Sequence, residues 1–167
     1  MPHMPLATLR IFADDLGVDV VGSLIGEVPT KAANKGEILS VSSTGRPVIA
    51  RTGTWFITTK GRPLGDDPAT HLAWVVGLAK QHLAAIRRQF PAVRADLSLL
   101  VQDADFAPSD LPNELLKQAV EIGELEIENP DNGLDLFLNA DSLACDGRPC
   151  LDREPTEASG RGNQQGA

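Results

Sequence analysis

The rhythm of apolar and polar residues changes several times along this chain, and each rhythm predicts an element. Ala7-Thr-Leu-Arg-Ile-Phe12 alternates Ala7, Leu9 and Ile11 with Thr8, Arg10 and Phe12, as a strand with one face on a core does. In Asp19–Gly26, Val20, Val21, Leu24 and Ile25 fall on one stripe of a short helix. An Asp near its start is the expected cap, and Gly26 with Pro29 the stop. Thr30 to Arg46 reads as loop with a short strand around Ile38 to Ser42. Arg46 to Thr59 is dense in β-branched and aromatic residues, giving two β segments broken near Gly53 or one bulged strand.

The clearest pattern follows. Asp67 is a natural N-cap and Pro68 suits the first helical position, while Leu72, Val75, Val76, Ala79, Leu83, Ile86 and Phe90 recur at steps of three and four until Pro91. About 23 residues at 1.5 Å per residue make a helix roughly 35 Å long, enough to cover a small sheet. Ala95–Val101 predicts a strand, and Ser109–Gly123 a third helix with Leu115, Leu116, Ala119 and Ile122 on its stripe. Glu124-Leu-Glu-Ile-Glu128 alternates strictly, with Leu125 and Ile127 inward and the glutamates outward, and Leu134 to Leu138 adds an edge strand. From Asp152 onward no apolar residues are available to offset the entropy of ordering the chain.

These elements predict an α+β fold: a mostly antiparallel sheet with helices on one face, close to a ferredoxin-like βαββαβ unit with an added αβ. At 167 residues the chain suits one core, so residues 1–150 are expected to form a single domain and 151–167 a disordered tail.

Charge changes this picture more than composition does. The net charge is −8, which argues against nonspecific binding to nucleic acid or an anionic membrane, since phosphate contacts need clustered Lys and Arg. Residues 1–92 carry ten Lys/Arg against seven Asp/Glu, whereas residues 93–130 carry two against nine and residues 131–167 three against seven. The acid is concentrated in the second half. No apolar run approaches the roughly 18–20 residues of a membrane span, and Met1-Pro-His-Met-Pro5 lacks the basic region and apolar core of a signal peptide. A cytoplasmic location is the expectation, with Cys145 and Cys150 reduced rather than paired.

Candidate chemistry is sparse, and no catalytic residue, metal or cofactor is expected. His71 and His82 stand eleven positions apart, which on a helix separates them by about 16 Å, too far to share an ion. Gly22-Ser-Leu-Ile-Gly26 lies inside a helix rather than on a nucleophile elbow, and Gly61-Arg-Pro-Leu-Gly65 lacks the Gly-Lys-Ser/Thr ending of a phosphate loop. Asp14 with Asp15, and Asp66 with Asp67, are better explained as caps and turns than as an acid–base pair. Trp55, among β-formers, is expected in the core, whereas Trp74 lies off the helical stripe and can serve as an interface anchor.

Two sites follow. The first is a partner-binding surface made by Asp96, Asp103, Asp105, Glu114, Glu121, Glu124, Glu126 and Glu128 with Trp74, where charge would speed encounter with a basic protein and reject wrong partners. The second is a small-ligand or enzymatic pocket lined by Lys35, Glu37, Arg51 and Trp55.

Several landmarks occur together between Ala7 and Glu128: the early strand and short helix, Leu24-Ile-Gly-Glu-Val-Pro-Thr30, Lys35-Gly-Glu37, the Gly53-Thr-Trp55 strand, the long helix from His71 and the closing helix-Gly123-strand unit. In order and spacing they resemble the bacterial family known as domain of unknown function 4279. The chain departs from it where members close on an acidic and aromatic strand, because Glu124 to Pro130 has no aromatic residue and the chain has no Tyr. The resemblance implies no established reaction or cofactor, and some members have been suggested to act as immunity proteins beside secreted toxins. A nuclease toxin, basic in order to hold phosphate, would suit the acidic half.

Overall fold

The alternation near the start of the chain is strand β1 (Leu6–Ala13), with Ala7, Leu9, Ile11 and Ala13 buried and the residues between them half-buried. The computed structural model describes residues 4–143, so the expectations for Cys145, Cys150 and the 151–167 tail lie outside the described residues. After helix α1 (Val18–Ile25) come β2 (Lys31–Ala33), β3 (Ile38–Val41), β4 (Pro47–Ile49) and β5 (Gly53–Thr58). Helix α2 (Pro68–Gln89), β6 (Arg94–Leu100), α3 (Asn113–Ile122), β7 (Leu125–Asn129) and β8 (Leu134–Leu138) complete the regular elements.

Six strands form one sheet in the order β2-β5-β1-β6-β7-β8, and β3 with β4 forms a separate hairpin. The fold is α+β and mostly antiparallel; β6 and β7 run parallel, because the α3 crossover returns the chain in the same direction. The three helices pack on one side of the sheet. There Leu9, Ile11, Trp55, Leu97, Leu99, Leu125 and Ile127 meet Val21 and Ile25 of α1, Leu72, Val75, Val76 and Ile86 of α2, and Leu116 and Ala119 of α3.

Local details correct the sequence reading. β2 falls in the stretch expected to be loop: three residues, of which only Ala33 is buried, are too few to show an alternation. No Asp caps α1. Gly17 stands at its N-cap without a side chain, and the Val18 amide donates to Asn34 Oδ1 (3.1 Å), so a residue from beyond β2 does the capping. The α1 stripe is also narrower than expected, with Val21 and Ile25 buried and Val20 exposed. The third helix starts later, because Pro108–Asp110 makes a separate 3-10 turn.

Helix α2 begins as its sequence predicts. The Asp67 carboxylate accepts from the Ala69 and Thr70 amides (each 3.2 Å) and from the Thr70 hydroxyl (2.8 Å). That hydroxyl is the main cause holding the carboxyl below its ordinary value of 3.8; slight burial opposes it and the two amides add to it. A depressed folded pKa means that the cap's contribution is present above the unfolded value and is lost as pH falls through the folded one. Asp67→Ala is expected to cost about 1 kcal/mol at neutral pH. In urea titrations that difference should shrink as pH drops below 3.8, the ordinary value, because the wild type loses the contribution of its ionised cap while the variant has none to lose.

Candidate functional site

The face of the sheet opposite the helices carries the intervening positions of every strand. Register sets its rows: Lys31, Phe56, Arg10 and Asp96 lie side by side across β2, β5, β1 and β6, and Thr58, Thr8, Ser98, Glu126 and Phe137 across β5, β1, β6, β7 and β8. At the centre Arg10 is held between two carboxylates, its Nε donating to Asp96 and its Nη2 to Glu126 (3.3 Å). All three side chains are roughly a quarter to a third exposed, so water screens the attraction only in part. Towards one end the Arg94 guanidinium sits over the Phe12 ring, 5.4 Å from its centroid.

Beyond Arg10 the face becomes acidic. Glu128 pairs in register with Asp135 across β7 and β8, and neither joins an ion pair among the described residues. Like charges directly opposite on neighbouring strands destabilise the pair, and here they do so on an exposed edge. Beside them Phe137 is 53% exposed on β8, the last strand of the sheet.

The eight acidic residues expected to share a surface are therefore divided. Asp96, Glu126 and Glu128 lie on the uncovered face, with Glu124 at the start of β7; Asp103 and Asp105 lie in the loop after β6; Glu114 and Glu121 belong to α3, on the helical side. Trp74 is half-buried, and the Arg62 guanidinium lies 3.9 Å from its ring centroid while donating to Glu27 (2.9 Å). Its outer side is thus already covered by a cation. Arg10, Asp135 and Phe137 were missed by sequence reasoning. Alternation places them outward, but only the register shows what they stand beside.

The pocket expected around Trp55 is not assembled from those residues. Trp55 is fully buried in the core, Lys35 pairs with Asp14 (3.5 Å), Glu37 accepts from the Asn34 amide (2.8 Å), and Arg51 is exposed. The Asn34 backbone amide, with its side chain second, holds the Glu37 carboxyl below its ordinary value, which fits a loop clasp. Asp14 and Asp15 follow the end of β1, whereas Asp66 and Asp67 lie towards the opposite end of that strand, so they do not meet.

A cavity of about 480 Å³ does open at the sheet end where β1 begins, lined by Met4, Leu6, Leu100, Lys60, Gln102 and His71 among others. His71 is buried, with Nε2 2.8 Å from the Gly65 carbonyl and Nδ1 2.7 Å from the Thr59 hydroxyl. A carbonyl can only accept, so Nε2 carries a proton; in the neutral ring Nδ1 then accepts from Thr59, whose oxygen accepts from the Ala7 amide (3.0 Å). Both ring nitrogens are therefore spent on joining β1, β5 and α2. Among the described residues no three His, Cys, Asp or Glu side chains converge as metal ligands, and no helix is long and apolar enough to cross a membrane.

Fold and site together define a class: a one-sided α+β sheet domain whose free face is polar, charged and acidic towards β8. A family model described as "Domain of unknown function (DUF4279)" matches residues 3–129, and the chain belongs to that family. The match ends at the last residue of β7, leaving β8 beyond it. No curated protein and no solved structure matches the chain.

Proposed function

We propose that this domain works by binding a basic protein through the β7–β8 side of its uncovered face, without chemistry of its own. The observation that carries the reading is the Glu128–Asp135 pair, an uncompensated repulsion beside the exposed Phe137. A cationic partner would relieve that repulsion and cover the ring at once, combining charge complementarity with an aromatic anchor. The specific form we put forward is an immunity protein that occludes a basic toxin; its support is the charge asymmetry of the chain and the resemblance drawn from its motifs.

The test is co-expression with the products of adjacent genes. A stoichiometric complex with a basic protein is expected, weakening with added salt and silencing the partner's activity. Glu128→Lys/Asp135→Lys should fold normally, since it exchanges one exposed like-charge pair for another of opposite sign, and weaken the complex at least tenfold. Unchanged affinity in that variant, or no complex with any adjacent product, would reject the reading. A small-ligand role is favoured by one observation, the cavity of about 480 Å³; a molecule retained by the purified protein in native mass spectrometry, and lost on Leu100→Trp, would support it instead.

A further inference from the structure

We infer that the β3–β4 hairpin docks against the β7–β8 edge of a second copy of this chain, head to tail; this rests on the reading that the β7–β8 side is a binding surface. Ile38, Val41, Val48 and Ile49 are all exposed on the hairpin (60, 65, 42 and 49%), and Val28, in the turn that leads towards it, is 85% exposed. They make up most of the large apolar side chains left in water among the described residues. The hairpin stands apart from the six-stranded sheet and has no core of its own. Isolated two-stranded ribbons are marginal in water, and a concentration of exposed apolar residues marks an interaction site.

Charge selects the occupant. Residues 31–51 hold Lys31, Lys35, Arg46 and Arg51 against Glu37 alone; Lys35 is engaged by Asp14, while Lys31, Arg46 and Arg51 join no ion pair among the described residues. Two hairpins packed on each other would bring these cations together, so the counterpart is an acidic surface with an apolar contact. The chain carries such a surface itself. Residues 118–143 contain seven Asp/Glu and no Lys or Arg, and β8 offers the unpaired backbone of an edge strand with Phe137 exposed. β2 and β8 are the opposite edges of the six-stranded sheet, roughly 24 Å apart at 4.8 Å per strand, and the hairpin lies at the β2 end. The two surfaces therefore meet only between molecules. Such a contact is heterologous, and repeated copies close into a ring or extend as a chain.

Sedimentation of the purified full-length protein tests this with two variants, Val41→Asp/Ile49→Asp on the hairpin and Glu128→Lys/Asp135→Lys on the edge. The wild type is expected to grow in mass beyond a dimer as concentration rises, and to return towards one chain in high salt. Each variant alone should stay at the mass of one chain, and an equimolar mixture should give a one-to-one dimer and nothing larger. A wild type that stays monomeric at every concentration overturns the inference, as does an edge variant that still self-associates, which would mean hairpin-on-hairpin contact. The two readings fail separately. A monomeric wild type that binds a basic protein through Glu128 and Asp135 defeats only the self-association, whereas edge-dependent self-association without any such protein defeats only the basic-partner reading.

Discussion

Replacing Gly123 by alanine is expected to destabilise the domain by about 3–5 kcal/mol, at the upper end of what overpacking costs. Gly123 ends α3 and leads into β7 with φ 174°, an extended conformation open to any residue, so backbone preference does not demand glycine here. Contact does. A Cβ at this position would lie 1.9 Å from the Ala95 carbonyl oxygen of β6, and that oxygen belongs to backbone that cannot swing aside. The helix turns into its strand directly against the neighbouring strand, and the Glu124 carbonyl accepts from the Leu97 amide (2.9 Å) to start the parallel pairing. Alanine would have to push β7 off β6 and take the β7–β8 edge with it. Gly77 on α2 is the control, because nothing lies within 4 Å of a Cβ built there. Gly77→Ala should stabilise by about 0.5–1 kcal/mol through helix propensity. Urea midpoints of the two variants should move in opposite directions, and a Gly123→Ala midpoint equal to wild type would refute the close-packing argument.

Trp55→Ala is expected to cost about 3–5 kcal/mol, the range for removing a large aromatic from a core. The ring is fully buried on β5 opposite Ile11 of β1 and Ala32 of β2. It lies under α1 at Gly22, where a built Cβ would be 3.9 Å from the indole Nε1. That nitrogen is buried without a hydrogen-bond partner among the described residues, a cost of about 1–3 kcal/mol that the packing of the ring must outweigh. Trp55→Phe should therefore lose only about 1 kcal/mol, because removal of the orphan donor offsets part of the lost contact. Denaturant unfolding and the near-ultraviolet circular dichroism of the folded variants provide the readout. A Trp55→Ala protein as stable as wild type would refute the ring's role as a core anchor.

The elements that are legible in the sequence are those whose signal is local. Asp67, Pro68 and the three-and-four spacing from Leu72 to Ile86 define α2 without reference to the rest of the chain. Strict alternation defines β1, β6 and β7 in the same way. β2 escapes because three residues cannot display a period, and the cap of α1 escapes because Asn34 reaches it from sixteen positions away. The family resemblance was legible for the reason α2 was: order and spacing are properties of the string.

The candidate site divides along the same line. That the second half of the chain is acidic, and that Glu124, Glu126 and Glu128 avoid the face of Leu125 and Ile127, follows from counting and alternation alone. Which of those charges act together does not. Glu114 and Glu121 lie on the helical side because α3 packs on the core face, and Asp96 and Glu126 are drawn to Arg10 across 86 and 116 positions of sequence. Glu128 meets Asp135 rather than a cation because β8 pairs with β7 in one register, and a shift by one residue would turn Asp135 into the core. Period and net charge are local sums over the chain, whereas layer and register are settled by burying one apolar face, and that burial decided which carboxylates remain in the open.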